Sequence, residues 1–169
     1  MSTFKLNIRS IKNYGSYEAH AKAAAELFIQ VFNSPEFKQQ VTEFVWNGEQ
    51  IFADNDGLTN TQVYEKLLGG AELPFPAEDN EADINLTAYG KLFPLGSAIG
   101  YTDANSSTIF TKWRFVKNSE PFELAGHYAH EYCHCIGFGH DYEETDQRPF
   151  SVPYAIGDIV CDIAAKISK

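Results

Sequence analysis

Methionine is nearly missing from this chain: Met1 is the only one in 169 residues. Cysteine is scarce too, and Cys133, Cys135 and Cys161 all fall late in the sequence. An odd number, with two of them one residue apart, is a poor disulfide framework and fits reduced thiols. Basic residues are in deficit, 13 Lys and Arg against 23 Asp and Glu, for a net charge of −10 at pH 7. That balance argues against a surface built to neutralise phosphates, so neither nucleic acid nor an anionic membrane is an expected partner. No apolar run approaches the ~18 residues needed to cross a bilayer. The opening residues also hold no apolar stretch of signal-peptide length, which makes a cytoplasmic setting the default expectation.

Core material, by contrast, is plentiful. Hydrophobic residues make up 44% and aromatics 14%, enough for a packed interior. The length fits one domain spanning residues 1–169. Phe4, Leu6 and Ile8 alternate with polar residues as a first strand. Ser16 is placed to cap an alanine-rich helix from Tyr17 to Phe32, and Ser34-Pro35-Glu36 to open a second. Short strands are expected at 44–46 and 50–52. Thr59 and Gln62 form a capping-box pattern for a helix ended by Gly69-Gly70. The stretch 73–83 reads as a solvated acidic loop. Strands follow at Ile84–Ala88, Ser97–Thr102 and Thr108–Val116. Ser119-Glu120-Pro121 opens the next helix, and a last one covers Ala155–Ile167. The order is mixed, an α+β fold.

Residues 130–140 read His-Glu-Tyr-Cys-His-Cys-Ile-Gly-Phe-Gly-His. This is H-E-x-x-H-x-x-G-x-x-H, a pattern whose chance occurrence in this length is on the order of 10⁻⁵. On a helix His134 lies about 40° from His130 and one turn on, so both imidazoles project from one face. Glu131 stands at the edge of that face, able to reach a water without being a ligand. Gly137 lets the chain leave the helix, and His140 returns to complete three imidazoles. Three histidines leave zinc's fourth position for water, the arrangement of a catalytic site. Two plainer alternatives remain: unrelated polar histidines, or a zinc that only braces the fold. The opposite stripe of the helix, Leu124, Ala125, Tyr128, Tyr132, Cys135 and Ile136, suits packing against a sheet. Cys133 and Cys135 read as packing residues.

The pattern resembles the signature of the metzincin clan of zinc metallopeptidases. The resemblance is specific over 120–140 and implies a zincin-like single domain, with a mixed twisted sheet, an active-site helix and a C-terminal helix. It implies one catalytic Zn²⁺ on His130, His134 and His140, with Glu131 as general base and acid in peptide-bond hydrolysis. An edge strand near Ala98–Tyr101 would hold a peptide or protein substrate. A monomer is expected. The clan's methionine-containing turn has no methionine here; Ser151-Val152-Pro153-Tyr154 resembles it, with proline in methionine's place. A clan tyrosine near the metal implies a stabilising role for Tyr154, one position early. No cysteine precedes Cys133, so a cysteine-switch prosegment is not expected. The competing function is a zinc-binding protein without turnover.

Other residues carry weaker signals. His127 shares the metal face, and a solvent-exposed or supporting histidine is favoured over a substrate contact. Asp141 reads equally as an acid orienting an imidazole or as a solvated one. The Asp54-Asn55-Asp56-Gly57 turn does not align with a calcium loop. Glu78, Asp79, Glu81 and Asp83 read as a solvated face.

Overall fold

Alternation of apolar and polar residues builds the sheet, and the computed structural model describes it within residues 3–90 and 98–169. In chain order the elements are β1 (Lys5–Lys12), α1 (Glu18–Phe32), α2 (Pro35–Thr42), α3 (Asn60–Gly69) and β2 (Glu81–Tyr89). Then come β3 (Gly100–Thr102), β4 (Thr108–Lys112), α4 (Trp113–Asn118), α5 (Pro121–Cys135) and α6 (Val152–Ile167). The fold is α+β with a mixed four-stranded sheet in the order β1-β2-β4-β3. β1, β2 and β4 run parallel, and β3 pairs antiparallel to β4 at the sheet's end. Among the described residues no helix is long and apolar enough to cross a membrane.

One face of the sheet is the core. Ala82, Ile84, Leu86 and Ala88 on β2 are fully buried, while the residues between them are half-buried. The stripe of α5 opposite the histidines enters the same core. Tyr132 packs against Phe4 and Phe28, with ring centroids 6.0 and 5.8 Å away. The Tyr128 hydroxyl lies 3.0 Å from that of Tyr14. On its other flank α5 lies directly on α6. A Cβ at Gly126 would stand 2.8 Å from the Gly157 carbonyl oxygen and 2.8 Å from Cys161 Cβ. Glycine there lets the two backbones approach.

Several expected boundaries shift. β1 runs on to Lys12, past the alternation expected over Phe4 to Arg9. Ser16 sits inside a 3-10 turn over Gly15–Tyr17, and α1 starts at Glu18 without a side-chain cap. The capping box at Thr59 and the cap at Ser34 form as their patterns require. No strands form at 44–46 and 50–52; isolated bridges join Trp46 to Glu49 and Ala53 to Ser151. Phe44 and Phe52 instead stack face to face, 4.2 Å apart. β3 begins at Gly100; Ser97 lies outside the described residues. The expected strand to Val116 stops at Lys112, and 113–118 turn into α4 despite their aromatic, β-branched composition. Burying Val116 and docking Trp113 edge-on to Tyr17 override that local preference.

The acidic stretch also divides. Glu78 and Asp79 are exposed, but Glu81 and Asp83 belong to β2 and are half-buried. Glu72, just before it, is completely buried, with only the backbone N–H groups of Asp83 and of Glu72 itself near its carboxylate. Burial pushes its carboxyl up to about 7, against a weaker opposing pull from nearby backbone N–H groups. The folded state thus binds this proton more tightly than the unfolded chain. The cost of ionisation is absent below about pH 4.5, grows as pH rises and is complete above about pH 7. Glu72→Gln is expected to stabilise the protein by about 3 kcal/mol at pH 8 and by little at pH 4.5. Urea denaturation at both pH values measures the difference; equal effects at both would refute the assignment.

Candidate metal centre

α5 is started by local chemistry. Pro121 occupies its first turn, where no N–H is needed, and the Glu120 N–H donates to the Glu123 carboxylate at 2.8 Å. Its end is equally well specified. Gly137 adopts φ +96°, and the N–H groups of Gly137 and Phe138 donate to the His134 and Cys133 carbonyls at 3.1 and 2.9 Å. This is the doubly hydrogen-bonded helix stop that a left-handed glycine allows. It turns the chain so that His140 comes back to the face carrying His130 and His134.

The three histidines converge. One ring nitrogen of each lies within 4.8 Å of the others, and ring centroids are 5.1, 5.3 and 4.9 Å apart in the three pairs. Among the described residues no other group of His, Cys, Asp or Glu is so arranged. Bonds of ~2.0–2.1 Å to a tetrahedral zinc would need nitrogens about 3.4 Å apart, a small closure from this geometry. The donor set also fits. His134 Nδ1–H donates to the Phe138 carbonyl at 2.8 Å, and His140 Nδ1–H to the Asp141 carbonyl at 2.9 Å. A ring N–H of His130 donates to the Pro153 carbonyl. Backbone acceptors of this kind fix the tautomer, leaving Nε2 lone pairs of His134 and His140 turned inward. Burial depresses the pKa of His130, reinforced by its histidine neighbours, and burial likewise depresses that of His134. Both are neutral at pH 7, the form that binds metal.

Glu131, next to His130 in the chain, is buried, and burial lifts its carboxyl up to about 7. The Thr102 hydroxyl donates to its Oε2 at 2.9 Å, which opposes that rise. A cation bound next to it would also favour the carboxylate.

Of the two placements expected for His127, exposed or supporting, the structure excludes the first. His127 is 4% exposed, enclosed between α5 and the sheet, and burial lowers its pKa to about 3. The expected exposed position is excluded because β3 and β4 cover the ring. Asp141 contributes through its main chain; its carboxylate accepts hydrogen bonds from Thr145 and Gln147 at 2.7 and 3.0 Å. Cys133 and Cys135 are buried in the core.

The segment 151–154 lies beneath the histidines, but as the start of α6, with Ser151 as its N-cap, and not as a separate turn. Pro153 supplies a carbonyl to His130. The side chain under the imidazoles is Tyr154, its ring centroid 4.6 Å from that of His130 and 4.8 Å from that of His140. Its hydroxyl is held by the Arg148 guanidinium, which also lies 4.9 Å over the same ring. Nothing in the sequence spacing signalled Arg148 or Thr102, because both contacts arise from folding. Such support of ligand rings is worth about 10- to 100-fold in metal affinity. Tyr154→Ala is therefore expected to weaken zinc binding by about 10-fold or more, while Tyr154→Phe, which keeps the ring, retains near-native affinity. Competition with a chromogenic chelator distinguishes them; equal affinity in both variants would dismiss the packing role.

No protein-family model matches the chain, and no curated protein matches it in sequence.

Proposed function

We propose that the protein is a zinc-dependent endopeptidase of metzincin type. The observation that carries this reading is the convergence of His130, His134 and His140, with Glu131 next to His130 in the chain and residues 130–140 forming the complete eleven-residue motif. The order of a short edge strand, a parallel strand, the histidine helix and a final helix under the site is consistent with that clan. His130, His134 and His140 would hold the ion, which when bound supplies the Lewis acidity that activates water and polarises a peptide carbonyl.

Glu131 would take the proton of the attacking water and deliver it to the departing amine. Gly100 and Thr102 turn their backbone polar groups to the open side of β3, since Ile99 and Lys112 share a ladder bond on the other side. An extended peptide would pair there by main-chain hydrogen bonds, so recognition would depend little on its side chains. Tyr154 would brace the imidazoles, its hydroxyl being engaged by Arg148.

The test is elemental analysis of protein purified without chelator, together with cleavage of an unstructured protein substrate. One zinc per chain, chelator-sensitive cleavage and recovery on adding zinc are expected. Zinc without cleavage across a broad peptide library would favour the non-catalytic zinc protein, and no metal at all would reject both.

A further inference from the structure

The motif accounts for Glu131 but not for what aims it. Its carboxylate lies between two polar groups that belong to no part of the signature. Oε2 accepts a hydrogen bond of 2.9 Å from the Thr102 hydroxyl on β3. Oε1 lies 3.8 Å from Nδ1 of His127, one helical turn back on α5, a neighbour beyond hydrogen-bond range. That imidazole is itself locked from behind: its Nε2 is 3.0 Å from the Thr111 hydroxyl, which is 3.4 Å from the Tyr14 hydroxyl. A buried line of polar groups thus runs from the core to the carboxylate.

Strand placement is fixed by the same ring. A Cβ on Gly100 would stand 2.4 Å from His127 Cε1 and 2.2 Å from the Phe110 carbonyl oxygen. Only glycine lets β3 lie directly on the imidazole, and two residues on, Thr102 reaches Glu131. A burial this complete of a histidine away from the three converging imidazoles costs stability unless its polar atoms are satisfied.

We propose that Thr102 is a positioning residue for Glu131, its hydroxyl holding Oε2 so that Oε1 stays turned to the reacting water. Because Thr102 sits on the edge strand, this hydrogen bond ties the carboxylate's orientation to the strand along which a peptide would lie. The inference rests on Glu131 being the proton-transfer group of the proposed peptidase. Small displacements of a reacting group of this kind cost up to about 100-fold in rate.

Thr102→Val removes the hydroxyl without changing shape, and Thr102→Ser restores it. In Thr102→Val, kcat is expected to fall about 10- to 100-fold at unchanged KM and with one zinc per chain, and Thr102→Ser to recover most of it. Crystal structures of the zinc-loaded proteins give an independent readout. Glu131 should take a second orientation in Thr102→Val and keep one in wild type and Thr102→Ser. A Thr102→Val protein with an unmoved carboxylate and wild-type kcat overturns the proposal. If wild type cleaves nothing, the peptidase reading falls, and the crystallographic comparison alone decides whether Thr102 positions the carboxylate.

Discussion

Glu131→Gln is expected to lower kcat/KM by about 10³-fold or more while leaving one zinc per chain, because in the proposed reaction Glu131 handles protons and not metal. Glutamine keeps the size of the side chain and can still accept the Thr102 hydrogen bond, so the packing around α5 has no reason to change. What it cannot do is take a proton from water. Buried as Glu131 is, its raised pKa makes it a better base once a neighbouring cation holds it ionised. Rate assays on a quenched fluorescent peptide, paired with elemental analysis of the same preparation, check both halves. Loss of zinc in proportion to loss of rate would show Glu131 to be a ligand and reassign its role.

His134→Ala is expected to reduce zinc affinity by about 10³-fold or more, the larger effect on the metal itself, since a two-histidine remnant cannot complete the site. The helix should survive. Its stop depends on the N–H groups of Gly137 and Phe138, which bond the main chain and not the imidazole. Zinc in 100-fold excess over its dissociation constant should stabilise the wild type by about 2.7 kcal/mol and the variant by little. Thermal melts with and without zinc measure that difference directly. A variant that still gains the full shift would place the metal elsewhere.

The face carrying the histidines was legible because it is local. His130 and His134 sit one turn apart on any helix, and Gly137 supplies the only conformation that lets His140 return within three residues. The apolar stripe behind them was legible for the same reason, as were the capping box at Thr59 and the proline start of α2. Strand boundaries were less so. Trp113, Phe115 and Val116 have strand-forming side chains, yet their environment curls them into α4. Short apolar pieces such as 44–46 and 50–52 found a face-to-face aromatic contact in place of a ladder.

What surrounds the motif was decided by tertiary structure alone. Thr102 reaches Glu131 only because the sheet edge is brought to α5, and no spacing rule relates residues 29 positions apart; Arg148 reaches Tyr154, six residues on, through the 3-10 turn that leads into α6. The same holds for His127, whose burial depends on β3 crossing it at Gly100. It holds for Glu72, which nothing in the sequence marked as an interior acid. Helix periodicity acts between neighbours three or four residues apart, so it specifies which side chains share a face. Which surface then covers that face is settled by long-range packing, where burial and close backbone approach outweigh local preference.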